Sequence, residues 1–458
     1  FVNPDMVFIG AAISFEENSS PNGSYDKSRL VGFFGNVNYG YDNRYFLDLS
    51  FRTDGSSKFG RNSRFAPFWS VGVAWNVHKE AFWSGDEKSS LKLRASVGST
   101  GTTNFSSTQA LTTYNYDFSK IYNGVFGVSL AGYGNPELKW QNTISYNVGV
   151  DMTLLKGLVT FNGDFYIKNT ENLLLPLTVA PSTGFSSYVE NIGKLRNTGI
   201  EGRLRLNLIR DTQRDLRWNV TLSAFHNKSK ITKLSNQLEE INKYANSDWY
   251  NQGTVVYRQY EAGRSQTALM MVRSGGIDPA TGNEVYIKRN GELTFEYDAN
   301  DKVKCGDMKP TIEGNVNTNL TWKGFTLYML FKYQFGAKAY NGTLASKVEG
   351  ANPYKNADKR VLYDRWKEPG DHAKFRRIDD RTSPYQTTRL VFDNDLFSLS
   401  SVSLSYELPR DISQKIYADR VRLMLSTTDV FRLSTIKQER GTSYPFARTF
   451  NLSLNVTF

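Results

Sequence analysis

The chain of 458 residues carries one cysteine, Cys305, three scattered histidines (His78, His226, His372) and 14% aromatic residues. This composition excludes a disulfide framework, a histidine- or cysteine-built metal centre and intrinsic disorder, and no cofactor is expected. The longest apolar run, Met6–Ile13, is far short of the ~20 residues of a membrane-spanning helix. The net charge of +11 comes without a long basic run, so no nucleic-acid partner is expected; phosphate-rich lipid headgroups, or nothing specific, account for the balance equally well.

The dominant pattern is two-residue alternation of apolar and small polar side chains, the signature of strands with one greasy and one wet face. In chain order it predicts strands over roughly 30–39, 45–53, 65–77, 90–98, 141–154, 158–171, 193–209, 216–231, 310–321, 325–338, 394–408, 420–434 and 447–458, with Met6–Phe15 a weaker candidate ahead of them. Ile144, Tyr146, Val148, Val150, Met152 and Leu154 alternate with Thr143, Ser145, Asn147, Gly149, Asp151 and Thr153. Phe450, Leu452, Leu454, Val456 and Phe458 do the same at the C-terminus, and these even-numbered residues are expected to face lipid. No amphipathic helix is found, so the fold class is all-β.

Connection lengths select the architecture. Gly40–Arg44, Leu155–Gly157, Asp211–Leu216 and Trp322–Gly324 are tight turns, whereas 99–140, 172–192, 232–309 and 339–393 are long loops. Short turns at one end and long loops at the other match an antiparallel transmembrane β-barrel with extracellular loops. A propeller would show a repeat of about 40–50 residues, and none is visible.

Several segments go beyond periodicity. Arg52-Thr53-Asp54-Gly55-Ser56-Ser57-Lys58-Phe59-Gly60 with Phe68–Trp75, then Leu91–Gly98, Asn135-Pro136-Glu137-Leu138-Lys139-Trp140, Asn191-Ile192-Gly193, Asn197–Glu201, Gly276-Ile277-Asp278-Pro279, Gly306–Pro310 and Tyr444-Pro445 with Arg448-Thr449 stand in the order of the SusC/RagA-like TonB-dependent transporters. The chain resembles that family over nearly its whole length; Ala447 and Asp429 stand where the family would have Pro and Asn. The resemblance implies a multi-pass protein of the bacterial outer membrane, with a barrel of about 22 strands closed by an N-terminal plug. About 14 strands are legible here, so residues 1–458 are expected to be the C-terminal part of one barrel domain, with the plug, the TonB box and roughly eight strands lying outside it. It further implies active import of a large nutrient, an oligosaccharide or a peptide. The implied partners are a SusD-like surface lipoprotein and the TonB complex, and a dimer of transporter–lipoprotein pairs is compatible with it. A passive porin and a soluble adhesin-like β-protein are the competing readings.

Chemistry is not prominent. Asp54-Gly55-Ser56-Ser57 lacks a nearby histidine and a P-loop lysine, and reads as a turn beyond a strand end. Asp298-Ala299-Asn300-Asp301 is rich in oxygens but out of register for an EF-hand. Ser223 and His226 are three apart on a strand and so face opposite sides. No enzyme is expected. Substrate or lipoprotein contacts are assigned instead to loop aromatics, Tyr114, Tyr116, Trp249, Tyr250, Tyr354 and Trp366 foremost, whose flat faces stack at low entropy cost. Phe458, ending the last alternating strand, is the candidate assembly signal.

Overall fold

The structure is a computed structural model; it describes residues 27–458 apart from 87, 103–109, 123–124, 179–186, 192, 235–241, 243–245, 247–250, 253–258, 353, 355, 381 and 437–446. The weak Met6–Phe15 candidate, Trp249, Tyr250 and the Tyr444-Pro445 motif lie outside the described residues.

Thirteen strands form one antiparallel meander in which every strand pairs with its neighbours in sequence order. They are β1 (Leu30–Tyr41), β2 (Tyr45–Ser56), β3 (Phe65–Asn76), β4 (Ser90–Thr102), β5 (Gln141–Leu154), β6 (Val159–Glu171) and β7 (Lys194–Asp211), then β8 (Leu216–Lys233), β9 (Ile312–Trp322), β10 (Phe325–Phe335), β11 (Leu396–Glu407), β12 (Arg420–Ser434) and β13 (Phe450–Thr457). Each of the thirteen predicted strands is found, and the predicted tight turns and long loops alternate at the two ends. The β9–β10 turn shows why its sequence is needed: Lys323 and Gly324 both take positive φ (46° and 83°), the two-residue hairpin geometry that matches strand twist. A Cβ on Gly324 would also stand 2.7 Å from the carbonyl oxygen of Glu407.

Register converts the alternation into two continuous surfaces. One cross-strand row runs through Lys92, Asp151, Asn162, Arg203, Ser223, Asn315, Lys332, Ser398 and Arg432. The adjacent row runs through Leu93, Val150, Gly163, Gly202, Ala224, Gly314, Tyr333, Phe397 and Leu433. A one-residue slip would exchange the two surfaces, so the pattern fixes the register. The apolar surface is exposed: Val148 is 60%, Ile200 56% and Leu452 71% accessible. So large an exposed apolar face marks contact with a non-aqueous medium or a partner rather than with water. Among the described residues no helix is long and apolar enough to cross a membrane.

The long loops build structure of their own, which alternation did not reveal. Within 99–140, where β4 itself extends to Thr102, Thr113–Tyr122 pairs with Val125–Gly132. Leu174–Thr178 pairs with Ser187–Asn191, and Ala268–Met271 with Val303–Asp307. Arg273–Ile277, Glu284–Ile287 and Leu293–Thr294 form a small three-stranded sheet. Ala268–Met271 is buried on both faces, so it carries no alternating pattern.

Candidate functional site

The polar surface carries charge as well as small polar groups. Arg94 on β4 donates from Nε to Asp151 Oδ2 at 2.7 Å and from Nη2 to Asp164 Oδ2 at 3.1 Å, while Asn162 Nδ2 donates to Asp151 Oδ1 at 2.8 Å. Beside this network lies a cavity of about 560 Å³ lined by Asp164, Glu201, Arg203, Ser223, Glu313, Asn315 and Lys332. Glu201 and Glu313 stand one step nearer the long loops than Arg203 and Lys332, two residues along each strand. Arg94, Asp151 and Asp164 occupy wet positions of the alternation, and the sequence shows them there; their joining into one network is what the structure adds.

At the long-loop rim, three of the sequence motifs pack into one knot. The Phe59 and Trp140 rings stack at 4.2 Å, and Phe68 meets Trp140 edge-on at 5.4 Å. The indole N–H of Trp140 donates to the Arg64 carbonyl at 3.0 Å, and Gly60 N donates to Leu138 O at 3.1 Å. Gly60 has φ −54°, open to any residue, but a Cβ there would lie 1.7 Å from Pro136 O; space, not backbone freedom, demands glycine. Asn191 closes the knot, its Oδ1 accepting from Lys139 N at 2.7 Å and its Nδ2 donating to Lys139 O at 2.8 Å. Of the Asp54–Ser57 stretch, expected as a turn, the first three residues are the end of β2 and the turn begins at Ser57, with Asp54 paired to Arg52 at 2.5 Å.

Loops 232–309 and 339–393 are joined by a buried ionic cluster. Arg389 Nη2 reaches Glu284 Oε2 at 3.0 Å and Glu349 Oε2 at 2.6 Å; Arg376 pairs with Glu349 at 2.8 Å and Asp380 at 2.6 Å. Thr387 donates to Glu284 at 2.6 Å, and Arg365 donates to the carbonyls of Val361, Val348 and Arg376. Ala345, Val348, Phe375 and Leu390 form the adjoining apolar core. Tyr297 stacks on Tyr385 at 4.0 Å, with Tyr286 edge-on to both, and burial pushes the Tyr286 phenol up.

The structure spreads the predicted aromatics rather than gathering them. Trp366 sits between the two loops, its indole N–H donating to Pro279 O at 2.8 Å and its ring against Gly282. Tyr114 and Tyr354 are exposed; Tyr116 pairs with Val128 in the 113–132 hairpin. Phe458 follows β13 and is exposed. Ser223 lies on the polar row and His226 on the apolar one, paired with Ile200, so they cannot act as nucleophile and base. Cys305 donates to Leu269 O at 3.3 Å, and burial raises its thiol. Asp298 caps Asn300 N at 2.8 Å, and Asp278 accepts from Thr281 N and Oγ1.

Lys302 yields a pH prediction. It is buried, its Nζ donating to Asn246 Oδ1 at 3.2 Å, and burial pushes the ammonium down to about 8. Below pH 8 the lysine is charged in both folded and unfolded loop, and the fold carries the full cost of burying that charge. Between pH 8 and the ordinary lysine value the unfolded loop holds the proton and the folded one does not, so stability rises with pH by up to about 3 kcal/mol. Hydrogen exchange over residues 299–307, corrected for intrinsic rates, should show protection increasing from pH 8 to 10. Lys302→Met should flatten that rise; a rise that persists in the variant assigns it to another group.

Residues 9–260, just over half of the chain, match the family model described as TonB dependent receptor-like, beta-barrel. TonB-dependent receptor P3 of Formosa agariphila is 28% identical over 98% of this chain and 47% of its own length. TonB-dependent receptor SusC of Bacteroides thetaiotaomicron is 25% identical over 80% of this chain and 38% of its own. Among solved structures, one described as the RagAB peptide transporter superposes with a TM-score of 0.79 at 23% identity, covering 95% of this chain and 47% of that one; at that identity the likeness speaks for the fold. The chain thus spans about half the length of the relatives it matches. With its two-faced meander and the family match over β1–β8, this chain belongs to the TonB-dependent receptor-like β-barrel family.

Proposed function

We propose that this chain forms part of the wall of a TonB-dependent outer-membrane importer that moves a large nutrient, an oligosaccharide or a peptide, together with a SusD-like surface lipoprotein. The observation that carries this reading is the paired surfaces of the meander: an exposed apolar face suited to lipid, and a polar, charged face suited to a water-lined lumen. The relatives named SusC and RagAB support it, the latter described as a peptide transporter. In this reading β1 and β13 pair with further strands of the full barrel, because open sheet edges are not tolerated in lipid. The joined loops 232–309 and 339–393 form the extracellular cap, with exposed Tyr114 and Tyr354 as contacts for substrate or lipoprotein.

Purification of the full-length protein from native membranes, followed by mass spectrometry of bound partners and ligands, tests the proposal. A co-purifying surface lipoprotein and a bound oligosaccharide or peptide are expected. A barrel that purifies alone and conducts small solutes freely in planar bilayers would favour the porin. Phe458 is carried forward as the assembly signal: its deletion should lower the heat-modifiable, folded fraction more than Phe450→Leu does, and equal effects refute the role.

A further inference from the structure

At the long-loop end of the apolar face, two cavities of opposite character meet at one residue. The lower, about 510 Å³, is a groove lined by Val148, Phe161, Phe165, Ile200, Ala224 and His226. It exists because the apolar row narrows to Gly163, Gly202 and Ala224 at its floor. The upper, about 490 Å³, is lined by His226, Lys228, Lys230, Arg264, Lys304 and Lys309, with Asp307 its one carboxylate. Strand length sets their level. β7 and β8 have 18 residues each against 11 in β9, and about 9–11 residues cross a bilayer. Residues 226–233 therefore rise beyond the start of β9, at headgroup height.

Alternation places Lys228 and Lys230 on the same face as Ala224 and His226, and Arg196 lies directly opposite Lys230 across the β7–β8 ladder. Like charges in direct cross-strand opposition are destabilising unless an anion lies between them. Among the described residues none of Arg196, Lys228 and Lys230 has a carboxylate within ion-pair distance, whereas Arg264 is paired with Glu261 at 3.6 Å and Asp307 is taken by Thr267 and Lys309 N. A cluster of unneutralised cations set directly above an apolar groove is complementary to one class of ligand, an amphiphile with a phosphorylated head.

We propose that this pair of cavities binds a phosphorylated membrane lipid, its phosphate held by Arg196, Lys228 and Lys230 and an acyl chain lying in the groove over Gly163 and Gly202. The proposal rests on the reading that the apolar face stands in a membrane, and it adds a specific lipid site to that face.

The test uses the full-length transporter reconstituted in phosphatidylcholine vesicles with and without phosphatidic acid, reading bound lipid by native mass spectrometry and inorganic phosphate binding separately. Preferential retention of phosphatidic acid is expected. Lys228→Ala with Lys230→Ala should weaken that retention about 30-fold, at roughly 1 kcal/mol per cation, and Lys228→Arg with Lys230→Arg should keep it. Gly202→Val fills the groove, since a Cβ there meets only ordinary contacts with Phe161 at 3.5 Å and beyond; it should cut lipid retention and leave phosphate binding unchanged. Insertion into both vesicle types with no preference for phosphatidic acid overturns the lipid site alone. So does retention that both the alanine and the valine variants leave intact, or inorganic phosphate bound as tightly as the lipid. Failure to insert into either vesicle overturns the membrane reading and the site with it.

Discussion

Replacing Glu349 by alanine should release the two largest loops from one another. The carboxylate is fully buried and bridges Arg376 and Arg389, and Arg389 in turn holds Glu284 of the other loop. Removing the central anion leaves two guanidinium groups in a dry site with only part of their partners. Breaking a buried ion pair from one side costs ~3–5 kcal/mol, much of it the stranded charge. The barrel wall does not depend on this cluster, so the folded, heat-modifiable species should persist. Protease cleavage within 232–309 and 339–393 should rise together, and substrate uptake should fall with it. Cleavage confined to one loop would show that the ionic cluster does not couple them. Glu349→Gln keeps the shape and one acceptor oxygen but loses the charge and the second acceptor, and should fall between wild type and alanine.

Trp140→Ala should be the second large effect, and unlike the first it should reach the wall. The indole carries the stack with Phe59, the edge contact with Phe68 and a hydrogen bond to Arg64 O. Truncating a buried aromatic of this kind costs ~3–5 kcal/mol, part transfer and part cavity. Gly60→Ala attacks the same knot differently, by driving a methyl into Pro136 O. Both variants should lower the heat-modifiable fraction and expose the 57–64 and 133–140 segments to protease. Wild-type behaviour in both would mean that these motifs do not hold the rim together.

The wall was legible because one face of each strand is wet and the other greasy. Over β5 and β12 the predicted limits, 141–154 and 420–434, coincide with the observed ones; in β5 the alternation runs to the last paired residue, and in β12 Phe431 and Leu433 resume it after the bulge at Asp429 (φ 53°). β4 runs four residues past its predicted end at Gly98, because Ser99–Thr102 stay paired with Gln141–Ile144 although their side chains are all small. The loops were opaque for a physical reason. Ala268–Met271 is buried on both sides and shows no period, and Glu284, Glu349 and Arg389 meet across 40 and 105 residues of sequence, where no local pattern operates. Trp366 is visible in the sequence as a loop aromatic, but its place between Pro279 and Gly282 depends on two loops folding together. The motif at Arg52–Gly60 was visible as a sequence; its partner Asn135–Trp140 was visible too, but only the structure joins them.

The central claim is that this wall belongs to an energised importer and not to an open pore. Accumulation of radiolabelled substrate, first identified from the purified complex, should be measured in cells carrying the full-length protein, with the TonB system intact and with TonB deleted. Uptake against a concentration gradient that collapses on TonB deletion is the predicted result. Uptake that proceeds to simple equilibrium at the same rate in both strains would contradict the account.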